Sequence, residues 1–401
     1  MRPSTDLSWP EFAELAGLFF LQAMALGSWF VPLGTVLDAH GLQAIKPMAF
    51  ATSSVGALVS PLMFGALADR KASPLRVLRG LALATALGLA AVATAIQLGA
   101  AAWLVLLLIQ LQALCAAPTG SLVTSVVLGR MRNTGRQFGP VRASATLGWM
   151  VGCWLVSALR ADTSALATYL SAGVWVSVAV FTHWLPSPEA PVPQGRLTLR
   201  QRLGLDALGL FKNRDHRVVF ITTALFSIPL AAFYPYAPTQ LRELGLERST
   251  AWMTLGQVTE VVALLSLASA LARWRIKWIM SLGLGFGVVR YVLCALDGRG
   301  WVLAGLTLHG FAFSLFFVTA QLYVDQRVDP AWRTRSQALF SLMFSGVGSL
   351  IGYLGSGWWF HFSQVAGAQH WQLFWSGLAV AVAGVGVYFW LAYKGRGQIP
   401  T

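Results

Sequence analysis

The chain is poor in cysteine, in charge and above all in acid. Its 401 residues include three cysteines, Cys115, Cys153 and Cys294, each isolated within an apolar stretch. That arrangement supplies neither a disulfide framework nor a metal-ligand spacing. Asp, Glu, Lys and Arg make up 11% of residues and hydrophobic residues 56%, whereas about a quarter of a soluble domain is charged. Acidic residues number 15 against 29 Lys and Arg. Two motifs are also missing. There is no Gly-x-x-x-x-Gly-Lys-Ser/Thr loop to cradle a nucleotide and no His-Glu-x-x-His helix to hold zinc. The pattern indicates no catalytic residues, metal or cofactor, and argues against an enzyme. Met1 to Pro10 lacks the basic, apolar and small-residue order of a cleaved leader. The first apolar stretch is therefore expected to stay in place.

What the chain does have is length in apolar runs. A helix crossing about 30 Å of hydrocarbon needs about 20 apolar residues. That yardstick predicts spans near 12–36, 44–66, 76–98, 101–129, 138–160 and 164–185. Six more follow near 216–240, 249–272, 276–296, 300–326, 334–360 and 368–393. Between the sixes, Pro186, Pro188, Pro191 and Pro193 interrupt any helix. The stretch 197–211 then alternates Leu and Phe with Arg, as an amphipathic helix on a headgroup layer or an ordinary loop helix would. The expected organisation is an N-terminal six-helix bundle (1–185), a cytoplasmic linker (186–215) and a C-terminal six-helix bundle (216–401).

Charge sets the orientation. Taking the N-terminus as inside, alternate loops and the two termini hold 23 of the 29 Lys and Arg. The opposite loops hold Lys46, Arg160, Arg242, Arg248 and Arg299, and Arg290 lies within a span. Cytoplasmic loops retain Lys and Arg, so the chain is expected to be a multi-pass inner-membrane protein with both ends cytoplasmic. Basic residues at membrane-flanking positions also argue against nucleic acid as a partner. The bilayer is the expected environment and a monomer the expected state.

Weak echoes relate the halves. The fifth and eleventh stretches each open on an Arg (Arg142, Arg335) and run into glycines, Gly148 and Gly152 in one and Gly346, Gly348, Gly352 and Gly355 in the other. Parallel repeats of this kind suit a carrier whose halves rock around a midplane site.

The loop GALADRKASPLR (65–76) resembles the second-to-third-helix signature of the major facilitator superfamily. Further segments resemble the nucleoside:proton symporter family within it: FLQAMALGSW (20–29), VRASATLGW (141–149), LGLDALGLFKN (203–213), GQVTE (256–260) and, more loosely, HGFAFSLFF (309–317). The resemblance implies the major facilitator fold, an all-α membrane protein of twelve transmembrane helices in two six-helix bundles. It implies uptake of a nucleoside with a proton by alternating access. Carried over residue by residue, it implies substrate contacts at Arg142, Thr146, Gln257, Glu260 and Phe313, with Trp149 at an aromatic position. His309 replaces a family Tyr, Ser314 an acidic residue, and Ala231 and Tyr234 two polar residues.

The residues support this independently. Glu260 lies mid-span, where a charge costs at least about 2.5–3.5 kcal/mol. It is read as the proton carrier, the competing reading being a permanent ion-paired lock. Gln257 precedes it by three residues and shares its face. Arg142 would hold a substrate oxygen or anchor the helix at the membrane boundary. His309 is a substrate or proton contact, or a satisfied imidazole. Arg290 reads as peripheral or snorkelling. Asp69, Arg70 and Arg76, with Asp325 and Arg335, are expected to gate one face through ion pairs that break and re-form. The missing acid at Ser314 keeps two alternatives open: the same fold exporting or passively conducting another small polar metabolite, or a membrane sensor that does not transport.

Overall fold

The computed structural model describes residues 7–68, 73–131, 134–186, 198–203, 205–329, 332–365 and 367–395. Helices cover each of the twelve expected stretches. Among the described residues, nine are long and apolar enough to cross a bilayer, and a tenth, Leu166–Phe181, is apolar but shorter. We number the passes α1 to α12. The first half contains α1 (Trp9–Phe30, resuming as Leu33–Ala39), α2 (Lys46–Ala68), α3 (Pro74–Gln97), α4 (Ala102–Arg130), α5 (Thr134–Ala158) and α6 (Leu166–Phe181). The second contains α7 (Arg214–Leu230, resuming as Phe233–Glu243), α8 (Leu255–Arg273), α9 (Ile276–Ala295), α10 (Arg299–Arg327), α11 (Arg335–Phe362) and α12 (Trp371–Ala392).

Local chemistry sets the ends. Ser8 and Glu11 form a reciprocal capping box on α1, with Pro10 in the first turn where its missing amide costs nothing. Asn213 Oδ1 caps α7, accepting from the amides of Asp215 (2.9 Å) and His216 (3.2 Å). Of residues 197–211, the described part is a short helical turn, Leu199–Arg202, followed by a 3-10 segment, Leu205–Lys212.

Two compact units emerge. The first takes Met1–Arg196 together with Arg248–Ala251, and the second takes Leu197–Glu247 and Trp252–Thr401. In the first unit α1 packs along α5 and α6, α3 along α4 and α6, and α2 on α4. In the second unit α7 packs on α11 and α12, α9 on α10 and α12, and α8 on α10. Each of these pairs in the first unit thus has a counterpart six helices later, which is the parallel repeat the two glycine-rich stretches hint at.

Outer faces are oily. Leu87, Leu265 and Val380 are 73%, 80% and 72% exposed in mid-helix, tolerable only where the solvent is lipid. Trp9, Trp103, Trp184 and Trp358 are exposed at or near helix ends, as interfacial tryptophans are.

Candidate functional site

In the first unit Arg142, Thr146 and Trp149 follow one another at four and three residues along α5, on one face. Arg142 is exposed, its guanidinium 5.7 Å from the centre of the Phe19 ring. Thr146 and Trp149 are half-buried, and the Trp149 ring lies 6.4 Å from that of Phe30. Backbone-to-backbone packing on another face holds α5 against α1. A Cβ on Gly148 would overlap the Phe20 carbonyl, and one on Gly152 the Met24 carbonyl. Ser144 Oγ adds a bond to the Ala16 carbonyl at 2.8 Å.

In the second unit Gln257 and Glu260 occupy α8 and His309 and Phe313 occupy α10. The two helices touch through glycine. A Cβ on Gly310 would overlap the Glu260 amide, and even its third neighbour, the Thr259 carbonyl carbon, would lie at 2.6 Å. This contact seats Glu260, which is half-buried, against the turn carrying His309. Gln257 is 5% exposed and donates from Nε2 to the Tyr234 hydroxyl at 3.3 Å, while its Oε1 has no donor among the described residues. Tyr234 thus restores a polar contact where the resemblance implied a lost one. Ala231 instead packs toward Gly352 of α11.

Sequence reading undervalued Arg290. Far from snorkelling, it is 1% exposed. It donates to His309 Nδ1 and, at 2.9 Å, to the Tyr291 hydroxyl. Its guanidinium lies 4.6 Å over Phe233 and 4.4 Å over Tyr291. The Tyr291 hydroxyl donates in turn to the Pro229 carbonyl at 2.6 Å, in the stretch where α7 breaks. Phe233 stacks on His309 at 4.2 Å and 12°, and His309 stacks on Phe313 at 6.2 Å. A ladder therefore runs from Arg290 through Phe233 and His309 to Phe313. A guanidinium only donates, so His309 Nδ1 accepts and the imidazole is neutral in this arrangement. The signal was present in the sequence, because an ionisable residue inside a span is functional by default. Two of its partners, however, His309 and Phe233, lie on other helices.

Ser314 opens a π-helical turn in α10, Ser314–Val318, and a second occupies Leu342–Gly348 in α11. Phe317 and Phe344, one from each, meet at 4.6 Å. Ser314 is fully buried and its Oγ has no partner among the described residues.

Of the expected gating residues, Asp69 and Arg70 lie outside the described residues. Arg76 is exposed in the first turn of α3. Asp325 is half-buried in the last turns of α10, and the Arg335 guanidinium lies 5.1 Å over the Trp332 ring. At this end of the second unit Arg327 covers the Tyr323 ring at 5.5 Å, His216 Nδ1 meets the Tyr323 hydroxyl at 2.9 Å, and Lys394 N donates to Asp215. Just past α12, burial pushes the Tyr393 phenol up to about 12, opposed by Arg327 and reinforced by Asp215.

Comparison with known proteins places this geometry. Residues 12–398 match the family model described as nucleoside H+ symporter. A protein of Escherichia coli (strain K12) named as a nucleoside transporter, YegT, is 31% identical over 95% of this chain and 93% of its own. The xanthosine permease of the same organism is 28% identical over 95% of each. The crystal structure of the nucleoside transporter NupG superposes with a TM-score of 0.85 at 23% identity, over 96% of this chain and 99% of that one.

Proposed function

We propose a function from one premise: the chain belongs to the nucleoside H+ symporter family. It is a multi-pass membrane transporter of the major facilitator fold and not an enzyme. On our reading it carries a nucleoside inward with a proton by alternating access. It works as a monomer of twelve spans in a bacterial inner membrane, both termini cytoplasmic, with the two six-helix halves joined by the linker 186–215. Arg142, Thr146, Trp149, Gln257, His309 and Phe313 contact the solute, and Glu260 contacts the solute and takes the proton. Arg76, Asp325 and Arg335, with Asp69 and Arg70, hold and release one face.

The observation that carries this reading is the neighbourhood of Gln257. A buried carboxamide with an unfilled acceptor stands one helical turn from an intramembrane carboxylate, on a helix that packs against the turn bearing His309. Base faces stack on aromatic rings, and a carboxamide pairs with donor–acceptor edges. Ser314 offers a hydroxyl and no charge, so Glu260 takes the proton alone.

Uptake of labelled uridine, adenosine and xanthosine into proteoliposomes, with and without an inwardly directed proton gradient, tests the function. Wild-type protein should accumulate nucleoside above equilibrium only with the gradient. Glu260→Gln should exchange nucleoside without accumulating it. Gradient-driven accumulation by that variant would remove Glu260 from the proton step. Ser314 favours a second reading, an uncoupled facilitator, which predicts equilibration that ignores the gradient in the wild type.

A further inference from the structure

The turn from α8 into α9 reads Arg273-Trp274-Arg275-Ile276-Lys277-Trp278 and meets the end of α12. Lys277 Nζ donates to the Trp390 carbonyl at 2.7 Å and lies 4.6 Å over the Trp390 ring. Arg214 Nε donates to the Ala392 carbonyl at 3.0 Å. The last carbonyls of α12 thus already have their cations, as the negative end of a helix favours.

Arg273 and Arg275 are left over. Both are exposed, and their guanidinium groups make no ion pair or hydrogen bond with any described residue. Arg273 closes α8, where the helix dipole favours a cation, but Arg275 is the N-cap of α9, where the dipole opposes one. Lys394, also exposed, adds a further charge at this end. No Asp or Glu occurs between residues 261 and 296 or after Asp329. Asp215, the acid nearest α12, is 4% exposed and accepts from the Lys394 amide. The fold supplies no counter-charge.

We propose that this turn, with the end of α12, holds the phosphodiester headgroup of an anionic phospholipid. Trp274, Trp278 and Trp390 are exposed around the cations, and the rings of Trp278 and Trp390 meet at 4.9 Å. Exposed indoles mark the headgroup level of a bilayer, which puts lipid phosphates at the height of the two arginines. A guanidinium fork matches a pair of phosphate oxygens, and clustered cations beside a span recruit anionic lipid. The neighbouring surface suits acyl chains. α9 and α12 run antiparallel, with Leu284 near Gly386 and Gly287 near Val382. At matching heights both expose apolar side chains, Leu282 with Val387 and Val289 with Val380. Between those levels lie Gly285 and Gly384, and nothing stands within 4 Å of a Cβ added to either. A free phosphate ion would use the cations and leave the indoles and this low apolar stretch without a role. The inference holds whichever solute is carried.

The full-length chain, purified in detergent, is titrated with phosphatidylglycerol, phosphatidylcholine or inorganic phosphate. Binding is read by native mass spectrometry and by melting temperature. Wild-type protein should retain phosphatidylglycerol in preference to phosphatidylcholine and melt higher as it is added, and inorganic phosphate should do neither. A cation near a membrane surface is worth about fivefold in affinity, so Arg273→Gln with Arg275→Gln should weaken the first phosphatidylglycerol bound by about thirtyfold. The lipid-free melting temperature should not change, because neither guanidinium has a protein partner. Arg273→Lys with Arg275→Lys should keep the charge and most of the binding. Lys212→Gln with Arg217→Gln removes two exposed cations elsewhere on the same unit and should leave binding as in the wild type. Equal losses in the two Gln pairs would mean diffuse attraction to a basic surface and overturn the site. Undiminished binding in the Arg273 and Arg275 Gln pair overturns it, as does inorganic phosphate that stabilises as well as the lipid. A lipid-free melting loss in that pair that tracks its loss of binding makes the arginines structural and overturns it too.

Discussion

Gly310→Ala tests the contact that places Glu260. All three nearest atoms to a Cβ at this position are backbone, the Glu260 amide, the Gly256 carbonyl and the Thr259 carbonyl carbon. None can swing aside as a side chain can, so α8 and α10 must separate by about 1 Å before a methyl reaches van der Waals contact. Overpacking a tight interface costs about 1–3 kcal/mol, and backbone neighbours put this one at the upper end. For a unit of about 200 residues, each kcal/mol lowers the melting temperature by about 2–4 °C. The expected fall is about 6 °C or more, read by fluorescence-detected gel filtration of heated, detergent-purified protein. A displacement of about 1 Å at a reacting group is worth roughly a hundredfold in rate, so proton-driven uptake should fall by at least tenfold. Gly384→Ala is the control. Nothing lies within 4 Å of a Cβ there, and alanine is favoured over glycine in a helix by about 0.5–1 kcal/mol. Gly310→Ala with wild-type melting and wild-type uptake would refute the seating of Glu260 on α10.

Other substitutions separate support from function. Arg290→Met removes two hydrogen bonds of about 1.5–3 kcal/mol each and two ring contacts of about 0.5–2 kcal/mol each. It also removes a buried cation whose desolvation costs several kcal/mol. These terms nearly cancel, so melting should move by no more than a few degrees. Uptake should collapse as His309 loses its fixed position. Arg290→Lys should not restore uptake, because an ammonium lacks the planar fork that reaches His309 and Tyr291 together; recovery in that variant would contradict the geometry. Lys46, 3% exposed, is paired with Asp38, a quarter exposed. Asp38→Asn should destabilise by about 3 kcal/mol, the low end for breaking a buried pair, and a Lys46→Met, Asp38→Leu double variant should recover most of that loss in the same melting assay.

Much of the architecture was legible because lipid imposes simple rules. Apolar run length marked where helices lie, and the short acidic inventory drew attention to Glu260. The breaks left a signal that run length masks. The interruption of α1 at Val31-Pro32 falls on a proline and that of α7 at Ala231-Ala232 follows Pro229, each inside a continuous apolar run. The π-helical turns carry no residue signature. Partnership across helices was invisible for a more basic reason. Arg290 and His309 are nineteen residues apart on different spans, and helical spacing relates only residues of one helix. The same holds for Gln22 of α1 and Thr119 of α4.

The wide turn at Ser314–Val318 also bears on how the chain tolerates changes of length. In a regular helix, losing one residue rotates everything beyond it by about 100°, which would turn Tyr323 and Asp325 away from their neighbours. A π-helical turn already houses a surplus residue between two flanks in ordinary register. Removing one residue there tightens the coil and leaves both flanks facing as before, so α10 can shorten by one at this point with its C-terminal half undisturbed.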